Sequence, residues 1–208
     1  MENNFELTYK RKLNKFNQSR IYKSDVEELL LELSKLKFKS ILDLGCGTGY
    51  LMNVLKKTYS DCIFKGIDKF SFSVTNHDVL DISNPNFEYD EKFDVIIMMH
   101  SINHISNLEI ACNNINNLLN NNGKIVIINP GKNFMGIIRK LQDLKLREET
   151  VGDSTVVNYL SVGEILEKFN PFNMKLISKR TFGNSMIIKH RGESYEMYPR
   201  TLMIFEKN

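Results

Sequence analysis

The chain of 208 residues is 42% hydrophobic and 25% charged, values typical of a soluble globular protein with one hydrophobic core. Its formal net charge of +3 is too small to indicate a nucleic acid or an anionic membrane as a partner. No apolar run approaches the roughly 20 residues that span a bilayer. Residues 1–4 carry an acid and two amides, where a secretory signal has a basic patch. We therefore expect one cytoplasmic domain of residues 1–208 that makes no membrane contact.

The three cysteines, Cys46, Cys62 and Cys112, are an odd number and contain no Cys-x-x-Cys pair. This usage argues against a disulfide framework and against a structural zinc site. We expect all three thiols to be reduced.

Short apolar runs alternate with longer amphipathic stretches, a pattern that favours a parallel sheet covered by helices. Strands are predicted at residues 41–44, 63–67, 73–76, 93–98, 124–129, 174–180 and 201–206. Helices are predicted at residues 24–36, 50–57, 106–119 and 162–169. Three of these helices follow a Ser-x-x-Glu segment, which begins at Ser24, Ser106 or Ser161 and predicts a capping box.

Two segments fall outside this alternation. Residues 1–22 are polar and basic with scattered apolar side chains, and we expect them to form an N-terminal lid over a ligand. Residues 131–160 include an amphipathic stretch near 134–146 and look like an inserted lid. Lids of this kind are where substrate determinants usually vary.

A glycine-rich turn follows the first predicted strand, and residues 41–51 read Ile-Leu-Asp-Leu-Gly-Cys-Gly-Thr-Gly-Tyr-Leu. Glycines permit positive φ angles and lack Cβ atoms, so a ligand can lie directly against the main chain. Open α/β sheets bind ligands at this carboxyl edge. The spacing is G-x-G-x-G rather than the dinucleotide fingerprint G-x-G-x-x-G, and no Lys-Ser or Lys-Thr follows as in a P-loop. The pattern therefore disfavours a nicotinamide dinucleotide and excludes a P-loop.

The sequence Asp-Leu-Gly-Cys-Gly-Thr-Gly of residues 43–49 resembles the first motif of the class I S-adenosylmethionine (SAM) dependent methyltransferases. The resemblance implies an α/β fold, a single-domain Rossmann-like three-layer sandwich with a seven-stranded, mostly parallel sheet and helices on both faces. It also implies SAM as the methyl donor, S-adenosylhomocysteine as the product, and no metal. Gly45, Cys46 and Gly47 would contact the methionine portion of SAM. Asp43 would orient the turn or the amino group of SAM.

Two further acids extend the predicted cofactor site. Asp68 ends the second predicted strand, where a carboxylate can accept the hydroxyl groups of a ribose. By the resemblance, Asp78 would accept from the adenine amino group and the amide of Val79 would meet a ring nitrogen. Only nine residues separate the two acids, whereas a helix separates them in the commoner family pattern, and Lys69 and Phe70 are the nearest candidates for the walls of the adenine pocket. Ordinary strand-end and turn-capping roles explain the same aspartates.

Residues 93–105 resemble the fourth-strand segment of the family, and the end of this strand, at Met99, would pass beneath the sulfonium. His100 and His104 lie where the methyl acceptor would approach, and imidazole titrates near neutral pH. His100 is the first candidate for a catalytic base, although holding the local backbone explains it equally well. His104 fits a structural role better. The pair lacks the Glu of H-E-x-x-H and a third ligand, which argues against a metal site.

Two other side chains are candidates for contacting the substrate. Asn103 could donate to the acceptor or could cap the following helix. Tyr22 could line the acceptor pocket or pack within a lid. Neither residue type separates the two roles by sequence alone.

The function that these residues favour is methyl transfer from SAM to a nitrogen or oxygen of a small molecule or a peptide-like metabolite. A nucleic-acid methyltransferase is disfavoured because the fourth strand is not followed by an Asp/Asn-Pro-Pro-aromatic motif and no basic stripe stands out, although modified nucleosides remain an alternative. A catalytically silent SAM-binding subunit is a second alternative, and a nicotinamide-dependent oxidoreductase is a third. Both a monomer and a homodimer are compatible with the sequence.

Overall fold

The computed structural model describes residues 17–18, 20–72, 77–130, 160–183, 186–190, 193–197 and 200–208. The predicted lids at residues 1–22 and 131–160 therefore lie mostly outside the described residues, as does the strand predicted at 73–76. Helices and strands occur in the order α1 Arg20–Leu33, β1 Ser40–Leu44, α2 Tyr50–Thr58, β2 Ile63–Asp68, β3 Asp78–Val79, β4 Phe93–Met99, α3 Leu108–Leu118, β5 Leu119–Pro130, α4 Val162–Phe169, β6 Met174–Phe182, β7 Met186–His190, β8 Glu193–Met197 and β9 Arg200–Lys207.

Seven of these strands form one sheet in the order β3-β2-β1-β4-β5-β9-β6. The pairs among β1 to β5 are parallel, whereas β9 runs antiparallel to both of its neighbours, β5 and β6. Strands β7 and β8 form a separate antiparallel pair. The predicted seven-stranded, mostly parallel sheet is confirmed.

The core has two halves, one on each face of the sheet. Along β4, Ile96 and Met98 pack on the face that α3 and α4 cover, whereas Val95, Ile97 and Met99 pack on the face that α1 and α2 cover. Side chains alternate between faces with a period of two, so a strand covered on both sides must be apolar throughout. Each fully buried aliphatic side chain of this kind stabilises the fold by about 1.5–3 kcal/mol. The three-layer sandwich follows from this arrangement.

The capping predictions had different outcomes. Ser161 forms the predicted capping box, because its hydroxyl accepts from the amide of Glu164 while the Glu164 carboxylate accepts from the amide of Ser161. The prediction at Ser24 is wrong, since α1 begins at Arg20 and Ser24 lies inside the helix. The prediction at Ser106 is also wrong. Asn107, in an extended conformation, caps α3 by accepting from the amide of Ile110.

Candidate cofactor-binding and catalytic site

The turn between β1 and α2 has the backbone geometry that its glycines predict. Gly45, Gly47 and Gly49 have φ angles of 80°, 51° and 70°, in the left-handed region that favours glycine. The amides of Gly45 and Cys46 donate to the carbonyl oxygen of Ile67, at 2.8 and 3.3 Å. These bonds hold the turn against the end of β2, at the carboxyl edge of the sheet where open α/β sheets bind ligands.

Gly45 also packs against the end of β4. A Cβ atom added at Gly45 would lie 2.4 Å from Cβ of Ser101, closer than two carbon atoms can approach. The hydroxyl of Ser101 donates to the carbonyl oxygen of Leu44 at 2.7 Å. Ser101 therefore connects the turn to the segment that carries the two candidate histidines. No local feature of the sequence singles out Ser101.

Asp68 accepts hydrogen bonds from two backbone amides. Its Oδ2 accepts from Gly47 at 2.9 Å and its Oδ1 accepts from Phe70 at 3.0 Å. Burial raises the pKa of Asp68, and these two hydrogen bonds act against the rise. The carboxylate thus fixes the path of the turn. Each oxygen has a second lone pair that a ribose hydroxyl can use.

Asp43 is a buried carboxylate with an unsatisfied oxygen. It is 3% exposed, and its Oδ2 has no hydrogen-bond partner among the residues that the structure describes. Burial, and secondarily the charge of Asp68, raises the pKa of Asp43 to about 7. A buried acceptor without a partner costs about 1–3 kcal/mol, and a cationic ligand group would remove this cost. The bare turn and this oxygen therefore fit the amino-acid end of SAM.

The remaining predicted cofactor residues differ in exposure. Asp78 is half-buried, and its Oδ2 accepts from the hydroxyl of Tyr89 at 2.6 Å. Val79 is 51% exposed at the edge of the sheet. Lys69 is exposed, with its ammonium 5.0 Å from the centroid of the Phe70 ring.

Cys46 and Met99 are buried, at 8% and 6% exposure. The Cys46 side chain lies against Gly66 of β2, and Met99 packs in the half of the core that α1 and α2 cover. Burial raises the pKa of the Cys46 thiol, and the charges of Asp43, Asp68 and Asp78 add to the rise. The thiol consequently stays protonated at neutral pH.

His100 directly follows β4 and has an unusual backbone conformation, with a φ angle of 61°. Its Nε2 lies 2.7 Å from Oδ2 of Asp25, and Oδ1 of Asp25 accepts from Nε of Arg200 at 2.6 Å. The Asp25 side chain is fully buried and that of Arg200 is 8% exposed. The side chains of Asp25 in α1, His100 just after β4 and Arg200 in β9 therefore form a row at this end of the sheet. Asp25 and Arg200 were not predicted, because each is distant in sequence from His100.

The two candidate substrate residues have different surroundings. Tyr22 is buried, with its ring centroid 5.6 Å from that of Tyr50 and 6.3 Å from that of His100. Asn103 is 3% exposed and exchanges two hydrogen bonds with Asn129 of β5, at 3.0 and 3.2 Å.

Asn103 joins the 3-10 turn Ile102–His104 to β5 through both ends of its amide, which is a structural role. It does not cap α3, because Asn107 does so. His104 is half-buried in the same turn, and its amide donates to the carbonyl oxygen of Ser101 at 3.0 Å. Of the two candidate substrate residues, Tyr22 is the one whose ring packs beside that of His100.

The N-terminal side of α1 also reaches the turn. Asn17 is 6% exposed, and its side-chain amide donates to Oγ1 of Thr48 at 2.9 Å.

No helix among the described residues is long and apolar enough to span a membrane. No cluster of metal-ligating side chains occurs in the described part of the chain.

Comparison with known proteins shows the family to which the chain belongs. The family described as "Methyltransferase domain" matches residues 14–179. Together with the seven-stranded sheet and the glycine turn, this match shows that the chain belongs to the class I SAM-dependent methyltransferases.

Two plant enzymes are similar to parts of the chain. N-methyltransferase 4 of Papaver somniferum is 26% identical over 116 residues, which are 49% of this chain and 33% of that protein. The (S)-tetrahydroprotoberberine N-methyltransferase of Eschscholzia californica is 26% identical over 96 residues, which are 40% of this chain and 27% of that protein. The chain thus spans about a third of the length of the curated relatives it matches.

A solved structure shares the fold over nearly the whole chain. The N-methyltransferase NodS from Bradyrhizobium japonicum WM9, in complex with S-adenosyl-l-homocysteine, has a TM-score of 0.59 and 15% sequence identity, and the match covers 93% of this chain and 90% of that chain. At this identity the likeness shows the architecture alone.

Proposed function

We propose that the protein transfers the methyl group of SAM to an amine nitrogen of a small molecule or peptide-like metabolite. The observation that carries the proposal is the buried Oδ2 of Asp43, for which the described residues supply no hydrogen-bond partner. This oxygen lies next to a turn whose glycines leave the main chain uncovered. An α-ammonium group would satisfy this oxygen. The preference for nitrogen comes from the two plant relatives, which are N-methyltransferases.

The residues proposed to hold SAM extend from the glycine turn along the carboxyl ends of β2, β3 and β4. Gly45, Cys46 and Gly47 would lie against its methionine portion, and Met99 would line the floor near the sulfonium. Asp68 would accept from the ribose. The adenine end would meet Asp78, Val79 and Lys69.

SAM supplies a sulfonium with a good leaving group, so the protein has mainly to align the acceptor and exclude water. An acceptor that arrives as an ammonium must first lose a proton. We propose His100 for this step, with Asp25 holding the ring through Nε2 in the way that a carboxylate orients a catalytic imidazole. Tyr22 packs beside that ring and would form part of the acceptor wall. His104 and Asn103 would maintain the 3-10 turn that follows His100.

Binding of the cofactor is tested first by calorimetry of the purified protein with SAM and with NAD. The protein is expected to bind SAM and not to bind NAD. Gly47→Arg places a bulky side chain in the turn. Asp68→Ala removes the carboxylate that accepts from the backbone amides of Gly47 and Phe70. Each variant is therefore expected to abolish SAM binding. Micromolar affinity retained in both variants would refute the site.

The acceptor is tested with methyl-labelled SAM, an extract of the producing cells and mass spectrometry of the labelled products. Label on amine nitrogens of small metabolites supports the proposal. Label in RNA nucleosides would favour a nucleoside methyltransferase, and SAM binding without any labelled product would favour a silent subunit. In the same assay His100→Gln is expected to lower transfer at least tenfold and leave SAM affinity unchanged.

We further propose that the protein works in the cytoplasm, as a monomer or a homodimer, with neither a nucleic acid nor a membrane as a partner. Sedimentation at micromolar concentration would distinguish the two assembly states. Cell fractionation would test the location.

A further inference from the structure

The loop before β4 brings a tyrosine to the predicted adenine end of the cofactor site. The hydroxyl of Tyr89 donates to Oδ2 of Asp78 at 2.6 Å, a distance typical of a charge-assisted O–H···O⁻ bond. Asp78 and Tyr89 are 11 residues apart and belong to different elements, since Asp78 begins β3 and Tyr89 lies in the loop that leads to β4.

The Tyr89 ring is held in place on two sides. It stacks on Phe87 with a centroid distance of 6.3 Å and an interplanar angle of 19°, and it lies 6.2 Å from the ring of Phe93, which is 1% exposed. Aromatic pairs at these distances favour fixed relative orientations. The hydroxyl therefore approaches Asp78 from an anchored ring.

The loop that carries Tyr89 is itself tied to a core helix. Asn114 of α3 is 6% exposed, and its side-chain amide donates to the carbonyl oxygens of Ile82 and Asn84, at 2.9 and 3.0 Å. The amide of Phe87 in turn donates to the carbonyl oxygen of Asn84 at 3.1 Å. Two hydrogen bonds from one buried side chain thus fix the loop a few residues before Tyr89, which preorganises the position of its ring.

Asp78 lies near the glycine turn as well as near Tyr89. In register, β3 pairs Asp78 with Ile67 and Val79 with Asp68, so Asp78 is beside the end of β2 that the turn covers. Its charge is one of those that raise the pKa of the Cys46 thiol in the turn, after burial and the charges of Asp43 and Asp68. Asp78 therefore lies within electrostatic reach of the place proposed for SAM.

From this arrangement we propose that Tyr89 is a positioning residue for the nucleoside end of SAM. Its hydroxyl donates a hydrogen bond to Oδ2 of Asp78 and thereby orients the carboxylate, so that the free lone pairs of the carboxylate face the exocyclic amino group of adenine. Burial, together with the hydrogen bond to Asp78, raises the pKa of Tyr89, so the phenol remains a donor at neutral pH. The proposal rests on the proposed function, because it assumes that SAM binds at the glycine turn.

The test compares two product-like ligands by calorimetry, S-adenosylhomocysteine and S-inosylhomocysteine, in which an oxo group replaces the 6-amino group. Wild type is expected to bind S-adenosylhomocysteine more tightly. Tyr89→Phe removes only the hydroxyl, and it is expected to weaken S-adenosylhomocysteine five- to tenfold while changing the affinity for S-inosylhomocysteine less than twofold, as the loss of one oriented hydrogen bond predicts. In an Asp78→Ala background, Tyr89→Phe is expected to have no further effect.

Tyr59→Phe is the matched control. Tyr59 follows α2 and packs edge-on against Phe38, with ring centroids 5.1 Å apart, at the opposite edge of the sheet from the turn, so neither ligand should respond. Equal losses for both ligands in Tyr89→Phe, or no loss for S-adenosylhomocysteine, would overturn the role of Tyr89. Absence of S-adenosylhomocysteine binding by wild type would instead overturn the proposed function.

Discussion

Gly45 and Ser101 are 56 positions apart in the sequence, yet they pack so closely that a single methyl group at Gly45 would overlap the side chain of Ser101. The hydroxyl of Ser101 is fixed by its bond to the carbonyl oxygen of Leu44, so the serine cannot turn aside without losing that bond. Glycine is therefore required at this position by the protein itself, independently of any ligand. The close approach also fixes the positions of the turn and of the segment after β4 relative to each other.

Gly45→Ala is predicted to lower the free energy of unfolding by about 1–3 kcal/mol, because the new methyl group overpacks the contact and the φ angle is positive. It is also predicted to weaken SAM binding at least tenfold, since the turn must move. Urea unfolding and calorimetry measure the two effects.

Gly163→Ala is the matched control for this prediction. Gly163 lies in α4, and the nearest atom to an added Cβ is Oγ of Ser161 at 3.9 Å. Alanine there is predicted to stabilise the protein by about 0.5–1 kcal/mol without changing SAM affinity. Equal changes in the free energy of unfolding and in SAM affinity for the two alanine variants would contradict the packing argument.

Asp43 is predicted to make the stability of the ligand-free protein depend on pH. An aspartate in the unfolded chain ionises near pH 3.9, whereas the pKa of Asp43 in the folded protein is about 7. The unfolded state therefore loses its proton first as pH rises, and the contribution of Asp43 is fully present below about pH 4 and lost between about pH 4 and 7. The loss is on the order of 4 kcal/mol at most. Asp68, whose pKa is also raised, acts in the same direction.

The measurement is urea unfolding of wild type and Asp43→Asn at pH 4.5 and pH 8. The isosteric amide does not ionise, so wild type is expected to lose more stability than the variant over this interval. A parallel change in both proteins would show that Asp43 does not titrate there.

Binding of SAM is predicted to release protons near pH 6.5. An ammonium group beside Asp43 would lower the pKa of its carboxyl, which is partly protonated at that pH in the ligand-free protein. The apparent binding enthalpy should then differ between phosphate and imidazole buffers, which take up protons with different enthalpies. Asp43→Asn should abolish the difference, and proton uptake by wild type would contradict the assigned contact.

Arg200→Met is predicted to lower the free energy of unfolding by about 3 kcal/mol, because it removes the cation that pairs with the fully buried carboxylate of Asp25. Lys65→Met is the comparison, since the Lys65–Glu91 pair lies 41% and 48% exposed and such surface pairs contribute less than about 1 kcal/mol. Thermal or urea unfolding measures both. Similar losses of unfolding free energy in the two variants would show that the buried Asp25–Arg200 pair contributes no more stability than the exposed Lys65–Glu91 pair.

The sequence alone was sufficient for the features that depend on neighbouring residues. An apolar run ending in three closely spaced glycines predicts both the strand and the tight turn at Gly45, because backbone freedom and hydrophobic alternation are local properties. The same reasoning found the capping box at Ser161. It failed at Ser24, where the helix begins earlier than the cap signal, and at Ser106, where Asn107 is an equally good cap one residue later.

Tertiary structure alone decided which distant side chains meet. The sequence identified His100, Asp78 and Gly45 as candidates, but only the packing of the elements supplies their partners. His100 meets Asp25, which is also bound by Arg200. Asp78 meets Tyr89, and Gly45 meets Ser101. These contacts join positions between 11 and 175 residues apart. The periodicity of a sequence states which face of an element is buried, and it contains no information about the element that will cover that face.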